Sequence, residues 1–398
     1  MRNRTQNRHK PKAREDISGA VAAKELQAPF PSIELPIQPP FPPMEARVRQ
    51  EIPSGDQWFY EPKWDGFRCL VFRNDEQVLL QSKAGQPLGR YFPELVHAFC
   101  QVKAKRFVLD GEIVIFMDGQ PSFEDLLLRI HPAASRIHKL SMEIPASIVL
   151  FDLLVDETGQ SLLALPLEER RRRLEEFARR QGIKIADPKT SLRNVARPGT
   201  RLLISPVTRE HTLAERWMAN LAGAGFDGVV AKRADATYAS GERTAMVKIK
   251  RIRTADCVVG GFRYSSKGNE VGSLLLGLYN DAGELDHIGF TSSFNSENRA
   301  KLKVIVEKYK DGSGFTGRAP GGPSRWATER SAEWEPLRPE LVCEVAYDHF
   351  SQGRFRHGAK FLRWRPDKSP RQCTMEQVQK PDKRHERKTS EIRRAGWT

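Results

Sequence analysis

The 398-residue sequence predicts an α+β protein of two successive folded domains, the second a small β-barrel. Two changes of texture carry that expectation. Between Gln57 and Lys250, short β-branched and aromatic runs alternate with stretches whose apolar residues recur at helical spacing. After Arg253 the chain turns to short strand-like runs separated by Gly-rich turns, with one helical stretch among them. The length allows two or three domains and an ample core.

Residues 1–28 carry Arg2, Arg4, Arg8, Lys10, Lys12 and Arg14 with few large apolar side chains, which reads as a flexible basic tail. Pro29, Pro31, Pro36, Pro39, Pro40, Pro42 and Pro43 follow, so the chain enters the first domain, 29–250, as an extended strap and not as a helix. Trp58 to Tyr60 is expected as a strand, and Cys69 to Phe72 with Val78 to Leu80 as a hairpin across Asn74-Asp75-Glu76. Phe107 to Phe116 and Ile148 to Val155 read as strands, and Leu165 to Arg180 as a helix. The run Arg170 to Arg173 in that helix is interleaved with Glu168, Glu169, Glu175 and Glu176, so it is expected as a salt-bridged exposed face. In the second domain, 251–370, strands are expected at Cys257 to Phe262, Leu274 to Tyr279, Leu285 to Phe290 and Leu341 to Tyr347, with a helix from Ser296 to Tyr309. Such a set suits an OB-fold, a common nucleic-acid binder. A second charged tail, 371–398, closes the sequence.

Lys plus Arg number 65 against 50 Asp plus Glu, a net charge of +15 that suits a polyanionic partner. No apolar run approaches the length of a membrane span, and no charged-then-apolar leader opens the sequence, so no membrane role is expected. Cys69, Cys100, Cys257, Cys343 and Cys373 are scattered without metal-ligand spacing, which points to a reduced intracellular compartment and no structural zinc. Cys69 and Cys343 lie in apolar runs and are expected in the core.

The chemistry is concentrated at Glu61-Pro62-Lys63-Trp64-Asp65-Gly66-Phe67-Arg68. A Lys-x-Asp-Gly match alone carries little weight, since most lysines are solvated surface groups. Here it is followed by Val108-Leu109-Asp110-Gly111-Glu112, Leu150-Phe151-Asp152, Asp227-Gly228-Val229-Val230-Ala231-Lys232 and Val247-Lys248-Ile249-Lys250. Charges inside strand-like runs are costly in an ordinary core, so four such blocks are expected to line a cleft. An amine becomes a nucleophile at neutral pH only if burial or nearby positive charge favours its neutral form, and Lys232, Lys248 and Lys250 are the candidates to supply that charge beside Lys63.

The order of these blocks resembles the covalent nucleotidyltransferases, and from about Trp58 to Pro370 it is similar to the ATP-dependent DNA ligases, closest to the stand-alone bacterial C-type repair enzymes. Arg365-Pro366-Asp367-Lys368 resembles the Arg-x-Asp-Lys motif that ends their barrel. The resemblance implies a nucleotidyltransferase (adenylation) domain of antiparallel sheets and helices followed by an OB-fold. It implies that Lys63 takes AMP from ATP and that the nucleotide is held by Glu61, Arg68, Lys83, Glu112, Phe151, Lys232, Lys248, Lys250, Arg365 and Lys368. Phe151 would stack on adenine, Asp65 would orient the lysine loop, and Glu112 and Asp227 would bind Mg²⁺ or Mn²⁺. Arg365, Asp367 and Lys368 would act from a mobile second domain, with Arg251 to Asp256 as the hinge. Two positions depart from the common pattern: Asp227 stands where many members have Glu, and Lys83 in Ser82-Lys83-Ala84-Gly85 where many have Arg. The implied activity is sealing of 5′-phosphate/3′-hydroxyl nicks in duplex DNA during repair. The implied setting is a monomer in the cytoplasm, nucleoid-associated, with DNA-repair protein partners. An RNA ligase, a capping-type nucleotidyltransferase and a non-catalytic nick or end binder are the alternatives.

Overall fold

In a computed structural model of the chain, the described residues are 30–117, 119–189, 199–220, 226–265, 270–294, 296–321 and 333–379, with the side chains of 296–300 also left aside. Both basic tails expected from the sequence lie largely outside them. The chain divides into two compact units between Ile249 and Lys250.

The strands of the first unit are β1 (Arg47–Arg49), β2 (Trp58–Trp64), β3 (Phe67–Asn74), β4 (Gln77–Ser82), β5 (Arg106–Val114), the small hairpin β6 (Phe116–Met117) and β7 (Gln120–Pro121), β8 (Ser147–Val155), β9 (Lys184–Ile185), β10 (Leu202–Ile204), β11 (Phe226–Arg233) and β12 (Met246–Lys250). They form a four-stranded sheet in the order β1-β12-β11-β2 and a six-stranded sheet in the order β4-β3-β5-β8-β10-β9. Most pairings are antiparallel, as the sequence led us to expect. The pairs β1·β12, β8·β10 and β9·β10 are parallel, and in each the two strands are joined by a long connection instead of a hairpin, as parallel neighbours require. β8 is buried at every residue, which is why Ser-Ile-Val-Leu-Phe-Asp-Leu-Leu-Val reads as a nearly unbroken apolar run and not as an alternating one.

β2 passes into β3 through Asp65-Gly66. A Cβ at Gly66 would lie 2.1 Å from the Ile113 carbonyl oxygen, so only glycine lets this turn sit against β5. The hairpin β3/β4 turns at Asp75, whose φ of 52° is left-handed. Helices α1 (Pro93–Cys100), α2 (Phe123–Leu128), α3 (Ala134–Glu143), α4 (Leu167–Gln181) and α5 (His211–Ala219) complete the unit. α1 has proline in its first turn and buries Leu95 and Phe99, one turn apart.

α4 corrects two expectations. Arg172 and Arg173 do form exposed ladders with Glu169, at 2.6 and 3.0 Å. Arg170 and Arg171, however, are buried. Arg170 makes a bidentate pair with Asp152 at 2.9 Å through each nitrogen, and Arg171 reaches the Ser205 carbonyl at 2.8 Å. At 3.6 residues per turn a run of four arginines covers the whole circumference, so two of them must face the sheet. Asp152, expected to line a cleft, is consumed in this structural pair.

Over its described residues the proline-rich strap is extended and carries no helix. It is also core: Ile33, Leu35, Ile37 and Met44 are buried against Leu70, Phe72, Val108 and Leu154. Gln81, 1% exposed, clamps it through reciprocal bonds with the Phe41 amide (2.9 Å) and carbonyl (2.7 Å).

The second unit contains β13 (Arg253–Tyr264), β14 (Val271–Tyr279), β15 (Leu285–Thr291), α6 (Ser296–Glu307), β16 (Glu335–Pro336), β17 (Val342–Tyr347), β18 (Phe350–Ser351), β19 (Arg354–Phe355), β20 (Lys360–Trp364) and α7 (Glu376–Gln379). The main strands run β15-β14-β13-β17-β20, and a bridge between Thr291 and Ala359 joins the two ends of that order into an OB-fold barrel. Cys257 and Cys343, both fully buried, lie opposite each other on β13 and β17 as free thiols.

Two expectations are corrected here. Arg253 to Asp256, expected within the linking segment, are part of β13 and paired in register with Tyr347 to Glu344, so only Arg251 and Ile252 lie between β12 and β13. The C-terminal tail does not begin at Arg371, since Cys373, Met375 and Val378 are buried in the barrel's core.

Candidate active site

Within the first unit, β2, β3, β5, β8, β11, β12 and the strap contribute to a cleft of about 250 Å³. Glu61, Pro62, Lys63 and Trp64 of β2 all border it, and alternation along the strand sets Glu61 and Lys63 on one face. Alternation along β11 does the same for Val230 and Lys232, and along β12 for Met246 and Lys248. Arg68 and Glu112 stand directly opposite each other on β3 and β5. Lys83 adds a further cation from the end of β4, and Glu45 a carboxylate from the strap.

Two chemistry-bearing side chains owe their aim to β-bulges. On β11, Phe226 pairs with Trp64 and Gly228 with Lys63, so Asp227 is the extra residue between them. Its Oδ2 accepts from the Lys63 amine at 2.6 Å. On β8, Asp152 pairs with Asp110 and Leu150 with Gly111, leaving Phe151 as the extra residue. The bulge gives its ring to the cleft, where the Arg68 guanidinium lies 4.7 Å and the Lys232 ammonium 4.3 Å from the ring centroid. Gly111 allows this crossing, since a Cβ there would lie 2.7 Å from the Val149 carbonyl oxygen.

The charges are ordered. Lys63 is only 19% exposed at its side chain, and its partner Asp227 4%. Lys232 and Glu61 form a buried pair at 2.9 Å. Arg68 is held by Asp110 through Nε at 2.5 Å and Nη2 at 2.6 Å. Burial works against its charge, but the Asp110 carboxylate outweighs it and keeps the guanidinium above its ordinary value. Burial pushes the Glu112 carboxyl up to about 7, against the pull of Arg68 and Lys63 and with reinforcement from Asp110 and Asp65. Glu45 is drawn below the usual carboxylate range by Lys83 and Arg243, whose nitrogens lie 3.1 and 2.7 Å away, although burial opposes the shift.

The cleft therefore gathers Glu61, Lys63, Arg68, Lys83, Glu112, Phe151, Lys232 and Lys248 from the set expected from sequence. Lys250 does not line it; its amine pairs with Asp348 at 2.9 Å in the second unit. Arg365 and Lys368 converge on Asp256 of the same unit, at 2.7 and 3.4 Å. Sequence reasoning missed Pro43, Met44, Glu45 and Ala46 as cleft walls, because a proline-rich approach carries no motif. It also missed Tyr238, a lone tyrosine in a loop. Asp110 stands in one of the charged blocks, yet nothing in its neighbours along the chain assigns it a role.

A divalent ion is consistent with this donor set. Glu112 and Asp227 offer hard oxygen ligands, and a carboxyl pushed up by burial is one whose charged form a cation would favour.

A partly buried amine among cations able to hold phosphates, in a two-sheet unit followed by an OB-fold, is the arrangement of the covalent nucleotidyltransferases. Residues 43–250 match the family model described as ATP dependent DNA ligase domain, and residues 267–368 that of the ATP dependent DNA ligase C terminal region. The chain belongs to the ATP-dependent DNA ligase family. It is 42% identical over 359 residues to DNA ligase C1 of Mycolicibacterium smegmatis, covering 88% of this chain and 97% of that protein. It is 40% identical over 366 residues to DNA ligase C of Mycobacterium tuberculosis, covering 88% and 96%. Among solved structures, a Lig E DNA ligase shares the fold, with a TM-score of 0.50 at 16% identity over 81% of this chain and 99% of that one.

Proposed function

We propose that this chain seals 5′-phosphate/3′-hydroxyl nicks in duplex DNA, drawing AMP from ATP onto Lys63. The observation that carries this reading is the position of the Lys63 amine, partly buried and 2.6 Å from Asp227, in the cleft that also holds Lys232, Lys248 and Arg68. In the first step the Lys63 nitrogen attacks the α-phosphorus of ATP, the bond to the bridging oxygen breaks, and pyrophosphate leaves. The nitrogen must shed its protons, and Asp227 Oδ2 is the nearest acceptor. Lys232 and Lys248 take the phosphate charge, which is the electrostatic stabilisation such a transfer needs. Arg68 and Glu112 hold the ribose, Glu61 lies along the base, and Phe151 offers it a face. A divalent ion at Glu112 and Asp227 would add positive charge beside the reacting phosphate. Asp65 keeps the lysine turn in register, and Arg365, Asp367 and Lys368 serve the first step from the barrel unit. Lys250, turned to Asp348, belongs with that second group.

The AMP then passes to the 5′-phosphate of a nick, and the 3′-hydroxyl displaces it. Nicked duplex DNA fits the +15 net charge. A single copy working on breaks during DNA repair completes this reading. Among the described residues no helix is long and apolar enough to cross a membrane.

The test is direct. Incubated with Mg²⁺ and α-labelled ATP, the protein should become covalently labelled and then seal nicked DNA. Lys63→Ala should abolish both, a loss of roughly a thousandfold or more. Labelling from GTP instead, or sealing only of nicked RNA, would overturn the reading.

A further inference from the structure

Tyr238 lies in the loop between β11 and β12 and is 5% exposed. Its hydroxyl accepts from the Met44 amide at 3.1 Å and donates to Asp110 Oδ2 at 2.6 Å. Asp110, fully buried, also accepts the Nε and Nη2 bonds of Arg68. Arg68 Nη2 then returns to the strap, donating to the Met44 carbonyl at 3.3 Å. The four residues close a ring: strap amide, tyrosine, aspartate, arginine, strap carbonyl. Every member except Tyr238 and Asp110 also lines the cleft.

We propose that Tyr238 is a positioning residue of the nucleotide site: through Asp110 its hydroxyl fixes the Arg68 guanidinium, and through Met44 it ties the strap to the bound nucleotide. The inference rests on the nucleotide-site reading given above.

The direction of the hydrogen bond is fixed. Burial, reinforced by Asp110, pushes the phenol well above its usual range, so it remains a donor to the carboxylate. Arg68 has five donors, and the ring engages Nε and Nη2, which sets the plane of the fork over Phe151 at 4.7 Å. Remove the hydroxyl and Asp110 loses one of its donors while the Met44 amide loses its acceptor, both in buried surroundings. The Arg68 fork and the Pro43–Ala46 wall are then free to move relative to each other. Packing alone would also account for a buried tyrosine: its ring stacks on Phe41 with centroids 6.3 Å apart and lies under Arg170 at 5.5 Å. Phenylalanine keeps those contacts, so Tyr238→Phe isolates the hydroxyl.

The expected result for Y238F is a KM for ATP in self-adenylation raised roughly five- to tenfold, the effect of one buried hydrogen bond, with kcat changed less than about twofold. Calorimetric titration of ATP into the K63A and K63A/Y238F proteins should show the same weakening without turnover. In an Arg68→Ala background, adding Tyr238→Phe should weaken ATP binding by clearly less than it does in the unmodified protein, because only the Met44 tie is left to lose. Should Y238F fail to fold, Asp110→Asn, which keeps the shape and removes the charge, is expected to raise KM for ATP in the same direction. An unchanged KM in Y238F, or an effect that adds in full to that of R68A, would overturn the inference. Failure of the underlying reading looks different: the unmodified protein would take no label from ATP at all.

Discussion

Asp110 and Asp152 face each other in register on β5 and β8, both buried, and each holds an arginine through a bidentate pair. In sequence they are the same kind of object, an aspartate inside an apolar strand. In the structure they do different work. Asp152 is bound to Arg170 from α4, whose other nitrogen reaches the carbonyls of Leu165 and Ala236, so this pair braces a helix against the sheet. Asp110 is bound to Arg68, which lines the cleft and lies over Phe151. One pair is closed off from the cleft; the other presents its arginine to it. A buried charge is tolerated only when its bonds are filled, and what fills them decides whether the residue supports the fold or the reaction.

The comparison is most exposed at its closed end. Arg170→Ala leaves Asp152 charged and buried, and should cost on the order of 3–5 kcal/mol of stability in chemical denaturation, with ATP affinity of the remaining folded protein little changed. If R170A instead weakened ATP binding without loss of stability, the distinction between the two pairs would fail.

Arg68→Ala should show the reverse balance. Its side chain is 19% exposed, so water can partly replace it at Asp110, and the loss of stability should be smaller than in R170A. ATP binding, measured by titration, should weaken roughly ten- to a hundredfold, as expected for charged hydrogen bonds.

The smallest effect concerns Glu112, the cross-strand partner of Arg68. Its carboxyl ordinarily titrates near 4.5 and is pushed up to about 7 in the folded protein. Between those values the folded state holds a proton that the unfolded state has lost. Its stabilising contribution is thus full below about 4.5 and is lost as pH rises through 7. Metal-free denaturation curves across this window should show stability falling with pH in the unmodified protein, and a flatter profile in Glu112→Gln. Mg²⁺ bound at Glu112, as proposed, would displace the same proton, and its apparent affinity should then rise with pH until about 7 and level off.

Much of this was legible from residue types. Lys63, Arg68, Glu112, Lys232 and Lys248 are found in one cleft, and each was marked by a charge set in a strand-like run. The barrel was marked by its short strands and Gly-rich turns. The reading failed where identical local texture has different partners. Arg170 looked like a member of an exposed ladder and is fully buried; Asp152 looked like a cleft residue and is a brace. Lys250 sits two residues beyond Lys248 on the same strand and turns to Asp348. Glu45 and Met44 carried no motif, because their contribution comes from where the strap crosses the sheet.

The sequence by itself determined the kinds of groups available and their rough order: an amine, carboxylates, cations and aromatic rings held in β-forming runs whose periodicity says which elements they join. Tertiary structure alone decided which of them meet. Strand alternation would have sent Asp227 and Phe151 elsewhere; a single extra residue in each of β11 and β8 turns one to the Lys63 amine and the other into the cleft. Whether a strand accommodates such a residue depends on the neighbour it is paired with, and that neighbour lies more than a hundred positions from Asp227 and some forty from Phe151 along the chain.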